Sequence, residues 1–247
     1  MSYDALYAVY DRFTGDVDYK ALAKYVAEQL RRNGVSDGIL LDLACGTGSL
    51  TFELAAMGYD VIGADSSEEM LSEAQSKLWS QEELPENPPQ FILQDMRELD
   101  LYGTIVACVS TQDSLNHITD PDELKEVFGR VSLFTEPGGV FVFDMNTPEK
   151  FRSIDGETFT YEDDDALCLW RVAGDGNGLY EYTVDVFERE KKLWRRSGEV
   201  FFERSYEPEL VCKMLEEAGF SSVEVFGERS FDAPKSDEQR IFFVARK

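Results

Sequence analysis

Apolar stretches rich in β-branched residues alternate with stretches of helical spacing along the first 147 residues. The apolar stretches predict five strands, near residues 39–42, 59–65, 90–96, 104–110 and 140–146. The helical spacing predicts helices at 3–13, 18–33, 49–56, 66–80 and from 121 to before Pro137. Strands that alternate with helices indicate an α/β fold with a doubly wound, mostly parallel sheet.

The pattern changes near Pro148. Four β-rich stretches follow at 158–161, 166–172, 179–189 and 192–202, separated by clusters of turn residues. They predict a small antiparallel β-sheet without helices, inserted at 148–203. Helical spacing returns at 207–218, and two further strands are predicted at 222–226 and 240–246. Residues 1–147 and 204–247 are therefore expected to form one domain around the insertion.

A glycine-containing turn follows the first strand. The strand stops at Asp42, and Gly46 and Gly48 then allow the backbone to turn tightly into a helix. The unpaired amides of a helix N-terminus favour a carboxylate or a phosphate, so this turn predicts a cofactor-binding corner. The dinucleotide fingerprint G-x-G-x-x-G has a third glycine where Thr51 stands, which argues against a nicotinamide cofactor.

A helix start signal follows the second strand. Ser66 and Glu69 fit the capping box, with Ser66 as the N-cap and Glu69 three residues later. The helix that starts here is predicted to end near Ser80. Pro85, Pro88 and Pro89 follow in an acidic loop, where they cannot continue a helix.

The turn reads D-L-A-C-G-T-G at 42–48 and resembles motif I of the class I S-adenosylmethionine (SAM) methyltransferases. Two further strands that end in acids follow in the family's order, at Asp65 and at Asp95-Met96. The resemblance covers about residues 35–147 and 204–247. It implies a Rossmann-like seven-stranded sheet whose last two strands form an antiparallel hairpin, S-adenosyl-L-methionine as cofactor, and methyl transfer as the reaction.

The same resemblance implies roles for single residues. Gly46 and Gly48 allow the backbone to approach the methionine part of the cofactor. Asp65 binds the ribose hydroxyls, and Asp95 and Met96 border the adenine. The cofactor-binding residues implied in all are Asp42, Ala44, Gly46, Gly48, Asp65, Ser66, Met70, Asp95, Met96, Thr111 and Gln112.

The methionine end of the cofactor involves residues from two turns. Asp42 is expected to orient the glycine turn, and to reach the amino group directly or through water. Thr111 or Gln112, in the polar loop after the fourth strand, closes over this end. Such loops lie at the edge where open α/β sheets bind ligands.

Two residues are candidates for catalysis. His117 is the only histidine in the chain, and an imidazole with an ordinary pKa near 6.5 can accept a proton at pH 7. It ends an S-x-x-H step that resembles small-molecule N-methyltransferases, including sugar-amine and glycine enzymes. The alternative is a histidine that steadies the following helix. Tyr10 belongs to a Tyr-Asp pair that, in similar enzymes, ends a lid over the cofactor; the alternative is a tyrosine face packed on the sheet.

The charge of the chain bears on its partners. There are 49 acidic residues against 24 lysines and arginines, for a net charge of −25. Nucleic-acid binders usually present a basic face, and the one compact basic cluster here lies at 191–196, so no nucleic-acid partner is expected. A small-molecule acceptor is expected instead, with methylation at N or O left open. The inserted sheet and the tyrosine-rich N-terminus are expected to form the acceptor pocket or a homodimer contact.

The remaining features of the sequence exclude some classes of protein and leave several functions open. No apolar run is long enough to cross a bilayer, and the N-terminal segment lacks the pattern of a signal peptide, so a cytoplasmic protein without membrane contact is expected. The four cysteines are far apart and contain no CxxC pair, which predicts no metal site. Alternative functions are an RNA or protein methyltransferase, a SAM-binding protein without transfer activity, and a nicotinamide-dependent oxidoreductase.

Overall fold

The computed structural model describes residues 17–80 and 87–247. Helices and strands alternate in the first part of the chain. These elements are α1 (Tyr19–Arg32), β1 (Ile39–Leu43), α2 (Ser49–Ala56), β2 (Asp60–Asp65), α3 (Glu68–Trp79), β3 (Gln90–Leu93), β4 (Ile105–Ser110), α4 (Pro121–Phe134) and β5 (Thr135–Asn146). Two short 3-10 helices, Met96–Glu98 and Ser114–His117, follow β3 and β4.

The second part of the chain holds most of the antiparallel strands. Its elements are α5 (Pro148–Ile154), β6 (Thr158–Glu162), β7 (Ala166–Gly174), β8 (Leu179–Glu190), β9 (Leu193–Arg204), α6 (Pro208–Glu217), β10 (Ser222–Gly227) and β11 (Arg240–Arg246). Strands β6 to β9 form a four-stranded sheet in sequential order, and each neighbouring pair is antiparallel.

The central sheet has seven strands in the order β10-β11-β5-β4-β1-β2-β3. The pairs among β1 to β5 are parallel, whereas β11 runs antiparallel to both β5 and β10. This architecture confirms the predicted α/β class, the mostly parallel seven-stranded sheet and the separate antiparallel sheet. The strand order changes direction between β1 and β4, so the carboxyl ends of these strands border a crevice.

Both faces of the central sheet are covered by helices. Phe141 and Phe143 of β5 point to the side where Phe128 of α4 packs, whereas Val140 and Val142 point to the side of α1 and α2. A strand buried on both faces reads as a continuous apolar run, which is why β5 was predictable from the sequence.

Helix α1 belongs to the core of the central domain. Leu22, Val26 and Leu30 of α1 are fully buried against α2 and the sheet. The N-terminal helical lid that the resemblance implies at residues 1–34 stays a prediction. The remainder of that segment, which includes Tyr10 and the predicted helix 3–13, lies outside the described residues.

Helix α5 contradicts the expectation that the inserted segment needs no helix. Thr147 is its N-cap and accepts a hydrogen bond from Lys150 N at 3.2 Å, and Pro148 occupies the first turn. Phe151 and Ile154 are buried against the four-stranded sheet. The Thr-Pro start is the same kind of signal as Asp120-Pro121 at α4, so the sequence did contain it.

Two predicted strand ends were wrong. Strand β3 ends at Leu93, because Asp95 already caps the 3-10 helix by accepting a hydrogen bond from Arg97 N. Strand β5 begins at Thr135, through the Pro-Gly-Gly stretch that was predicted to lie before it. A side chain at Gly139 would lie 2.7 Å from the carbonyl of Val106, so glycine allows β5 to pass β4 at an irregular pairing.

The structure locates the cysteines and the basic cluster, and it shows the length and character of the helices. The four cysteines are free thiols. The basic cluster lies on the β8–β9 hairpin, where Arg195 pairs with Glu188 and Arg196 pairs with Asp185. Over residues 17–80 and 87–247, no helix combines the length and apolar character needed to cross a membrane.

Candidate active site

A main cleft of about 1050 Å³ lies beyond the carboxyl ends of β1 to β4. Turns and loops that follow these parallel strands meet at this edge of the sheet. The cleft is lined by Ala44, Gly46, Asp65, Ser66, Met70, Gln94, Asp95, Met96, Arg97, Gln112, Ser114, His117, Ile118, Thr119 and Glu123. It therefore contains most of the predicted site residues.

The glycine turn forms one wall of the main cleft. Ala44, Gly46 and Gly48 all have positive φ, at 60°, 55° and 79°. A Cβ placed on Gly46 would meet no atom within 4 Å, so the backbone here faces open space. A Cβ on Gly48 would lie 3.0 Å from the ring of Phe91. The close packing of Phe91 is therefore a further reason for glycine at position 48. The contact of Gly48 with the cofactor stays a prediction.

Asp65 ties the end of β2 to the glycine turn. Its Oδ2 accepts a hydrogen bond from Gly46 N at 2.8 Å, and its Oδ1 accepts one from Ser67 N at 2.9 Å. Burial raises the pKa of this carboxyl, and the backbone amides oppose that shift. The two hydrogen bonds fix the orientation of the carboxylate in the cleft wall.

The N-cap of α3 is Ser67 and not Ser66, which corrects the capping-box assignment. Ser67 Oγ accepts a hydrogen bond from Met70 N at 3.2 Å and lies 3.1 Å from a carboxylate oxygen of Glu69. Only Ser66 fitted the sequence pattern, because the residue three positions after Ser67 is Met70. The later cap leaves Ser66 in the wall of the main cleft, next to Asp65.

Asp42 lies beneath the glycine turn, next to a smaller recess of about 370 Å³. Its Oδ2 accepts a hydrogen bond from Thr51 Oγ1 at 2.5 Å. Burial raises the pKa of Asp42 to about 7, and the nearby charge of Asp65 adds to the shift. Thr51, which stands where a third glycine was absent, thus supplies the hydroxyl that this buried acid requires. Thr111 lines the smaller recess, whereas Gln112 lines both spaces.

Asp95 is held by a neighbouring arginine. Arg97 Nη2 lies 2.5 Å from Asp95 Oδ2, and Arg97 Nη1 lies 3.2 Å from Glu123 Oε2 on α4. Hydrogen bonding by Arg97 lowers the pKa of Asp95. Asp95, Met96, Arg97 and Glu123 therefore form a charged rim at the β3 end of the main cleft.

The loop after β4 is shaped by buried charges that the sequence did not predict. Gln112 and Asp113 have positive φ, at 58° and 53°, and their amides donate to the carboxylate of Asp144 at 3.0 and 2.8 Å. Arg240 binds Asp144 at 2.5 Å and Asp113 at 3.0 Å. Burial opposes ionisation of Asp113, but Arg240, His117 and Asn146 together outweigh it and lower the pKa of this carboxyl.

His117 lies in the cleft wall at the end of this loop. Its Nε2 is 3.7 Å from Glu203 Oε1, and its ring centroid is 5.3 Å from that of Phe201. Burial lowers the pKa of His117, and the charge of Asp113 partly opposes the shift. The imidazole is therefore neutral at pH 7. Asn116, the residue before His117, is fully buried and donates to the carbonyl of Arg204 at 2.8 Å.

Comparison with known proteins identifies the family. The family model for a methyltransferase domain matches residues 40–139. A putative methyltransferase of Bacillus subtilis (strain 168), YqeM, is 31% identical over 250 residues, which cover 100% of this chain and 98% of the relative. The chain belongs to the class I SAM-dependent methyltransferases.

Two further relatives agree with this. The crystal structure of a SAM-dependent methyltransferase from Clostridium acetobutylicum ATCC 824 superposes with a TM-score of 0.87 and 31% identity, over 99% of this methyltransferase and 98% of the other chain. A dTDP-3-amino-3,4,6-trideoxy-alpha-D-glucopyranose N,N-dimethyltransferase of Streptomyces venezuelae is 32% identical over 128 residues, about half of each chain.

The cofactor of this methyltransferase is SAM, and the geometry of the main cleft fits it. A bare main chain at Gly46 leaves space beside the turn, and the oriented carboxylate of Asp65 suits a ribose diol. The residues of the main cleft that the sequence did not predict are Gln94, Arg97, Ser114, Ile118, Thr119 and Glu123. The sequence signal they share is position, since each lies near the end of a predicted strand, in the loop after it, or at the start of the next helix.

Proposed function

We propose that this methyltransferase transfers a methyl group to the nitrogen of a small-molecule amine. The observation that carries the proposal is a neutral imidazole, His117, in the wall of the main cleft beyond Gln112 and Ser114. An aliphatic amine is mostly protonated at pH 7, and its nitrogen has no lone pair until a proton is removed. A neutral imidazole at this place is suited to remove it.

Relatives support an amine as the acceptor class. The Streptomyces venezuelae relative is named as an N,N-dimethyltransferase of an amino sugar. A glycine/sarcosine N-methyltransferase of Halorhodospira halochloris is 23% identical over 95% of this chain. The names of both give nitrogen as the methylated atom, on molecules of quite different size. We therefore propose the class of acceptor and not one compound.

The predicted cofactor residues divide between the two spaces of the site. We propose that Gly46 and Ala44 contact the methionine part, that Asp65 and Ser66 bind the ribose, and that Met96 borders the adenine. SAM supplies a methyl group already activated on a sulfonium. The protein then has to bind both molecules, align the nitrogen with the methyl group and exclude water.

The charge of the site supports a cationic or neutral small molecule over RNA. Asp65, Asp95 and Glu123 all line the main cleft, and the whole chain carries a net charge of −25. A polyanion would be repelled by this surface, whereas an ammonium group would be attracted. An RNA substrate is for this reason the weaker proposal.

An acceptor panel tests the proposal. The purified protein is incubated with SAM and a dTDP-linked 3-amino sugar, glycine, sarcosine, or a catechol as an oxygen acceptor, and products are identified by mass spectrometry. We expect methylation of at least one amine and none of the catechol. Methylation of the catechol alone would contradict the proposal. So would a complete lack of transfer by a protein that binds S-adenosylhomocysteine.

A further inference from the structure

The loop that carries His117 is fastened to the end of strand β9. Arg204 Nε donates to the carbonyl of Thr119 at 2.5 Å, and Tyr206 Oη donates to the carbonyl of Ile118 at 2.5 Å. With the hydrogen bond from Asn116 to the carbonyl of Arg204, the residues on both sides of His117 are held by residues 204–206 at the end of β9. The position of His117 relative to β9 is therefore fixed by hydrogen bonds from side chains to main-chain carbonyls.

Glu203 of β9 lies behind His117, as seen from the main cleft. The side chain is only 5% exposed and does not line the cleft, whereas His117 does. The two residues are in contact through Oε1 and Nε2, at 3.7 Å. Oε2 of Glu203 has no hydrogen-bond partner among the described residues, so this buried carboxyl is incompletely satisfied. Buried polar groups without partners are uncommon and are often functional.

We propose that Glu203 is the proton acceptor behind His117. In this relay His117 takes a proton from the ammonium group of the acceptor at Nδ1 and passes the proton on Nε2 to Oε1 of Glu203. One N–H bond of the ammonium breaks as Nδ1–H forms, and Nε2–H breaks as the O–H of Glu203 forms. The acceptor nitrogen gains its lone pair, and His117 is neutral before and after. The inference rests on the proposed function, and it makes Glu203 a positioning residue that acts through His117.

The electrostatic surroundings give this pair the basicity that an amine requires. Burial raises the pKa of Glu203 well above its ordinary value, and the charge of Asp113 adds to the shift. The shift favours the protonated acid, so the relay operates in the molecules in which Glu203 is ionised, and their share grows as pH rises. In that form the carboxylate is a stronger base than an ordinary glutamate. The groups that act on His117 or Glu203 are Asp113 after β4, Lys150 of α5, Tyr182 of β8 and Arg240 of β11. Tyr182, Arg240 and Lys150 lower the pKa of Glu203, but burial outweighs them.

The distance between the two side chains is compatible with such a relay. At 3.7 Å the atoms Nε2 and Oε1 are in contact but do not form a hydrogen bond. Catalytic hydrogen bonds are often long in a protein without substrate and shorten when the reactants bind. Only a small side-chain movement is needed, because the loop and the strand are already tied together.

The single histidine makes the experiment direct. The chain labelled with 15N-histidine gives imidazole signals from His117 alone, and these signals report both protonation and tautomer. The protein is titrated from pH 5 to 10 in the presence of S-adenosylhomocysteine, without any acceptor. Wild type, Glu203→Gln and the control Glu181→Gln are compared. Glu181 is an exposed acid of β8 in the same sheet.

We expect two steps in the wild type and in the control, one from protonation of His117 itself and one from ionisation of Glu203. Glu203→Gln should retain only the first step. Identical curves in the wild type and in Glu203→Gln would overturn the proposal. This readout needs no methyl transfer, so it stays informative if the acceptor proves not to be an amine.

Kinetics with an amine found by the acceptor panel add a second test. Glu203→Gln should lower kcat/KM for the amine about tenfold at pH 8, and the rise of kcat/KM with pH should end at a lower pH. The affinity for S-adenosylhomocysteine, measured by calorimetry, should stay within twofold of the wild type. A lower kcat/KM with an unchanged pH profile would indicate a purely structural role and would contradict the relay.

Discussion

The two halves of the main cleft are built by different means. On the cofactor side, the shape comes from main chain: a turn with positive φ at Ala44 and Gly46, and amides that fix Asp65. On the side of His117, the shape comes from side chains that are distant in sequence, with Arg240 between two acids and Glu203 behind the imidazole. The cofactor side is therefore a local structure. The side of His117, here called the acceptor side, forms only after the whole chain has folded.

The largest expected effect comes from breaking the acceptor side at Arg240. Arg240→Met removes the cation between the buried carboxylates of Asp113 and Asp144, and an uncompensated buried charge costs about 3–5 kcal/mol. We expect a loss of that size in the free energy of unfolding, measured by urea titration at pH 7. Arg246→Met, at the exposed end of the same strand, should lose less than about 0.5 kcal/mol. Equal losses in the two variants would show that the ion pairs do not support this loop.

The pH dependence of folding stability at Asp42 tests the cofactor side. The pKa of Asp42 is raised to about 7 in the folded protein, from an ordinary value near 4. The folded state then binds more protons than the unfolded state between about pH 4 and 7, so this residue makes stability fall as pH rises through that range. Asp42→Asn keeps an acceptor for Thr51 and removes the titration.

We expect Asp42→Asn to be more stable than the wild type at pH 8 by up to about 4 kcal/mol, with little difference at pH 4. Urea titrations at both pH values measure this. Asp37→Asn, an exposed acid before β1, is the matched control and should show no such difference. A variant that is less stable than the wild type at pH 8 would mean that Asp42 is stabilised as a carboxylate.

A smaller effect is expected at Asp65. Asp65→Ala removes the carboxylate proposed to bind the ribose and releases the amide of Gly46. The affinity for S-adenosylhomocysteine should fall more than tenfold, which corresponds to at least about 1.4 kcal/mol. Calorimetry measures it, with Asp60→Ala at the start of the same strand as the control. Unchanged affinity in Asp65→Ala would show that the ribose lies elsewhere.

The same difference between the two sides explains which parts of the site were predictable from the sequence. Gly46, Asp65 and Asp95 belong to short contiguous patterns at strand ends, and such patterns predict local backbone geometry. The capping box, in contrast, matches Ser66, whereas the observed N-cap is Ser67. The link between His117 and Glu203 could not be predicted, because their contact depends on how the antiparallel sheet packs against the loop.

The fold was predictable for a related reason. Residues 140–143 of β5 are buried on both faces, so this stretch is entirely apolar and predicted a strand. The first residues of β5 were missed because a Pro-Gly-Gly stretch normally ends a strand, and here Gly139 instead allows a close approach to Val106. That exception depends on the neighbouring strand and is invisible in the local sequence.

The most direct test of a catalytic role for His117 measures both cofactor affinity and methyl transfer in His117→Ala. Calorimetry should give an affinity for S-adenosylhomocysteine within twofold of the wild type, because the cofactor side is built from other residues. Transfer to the amine identified by the acceptor panel should fall about 10²- to 10⁴-fold at pH 7, the usual effect of losing a positioned base. Wild-type turnover in this variant would contradict the account.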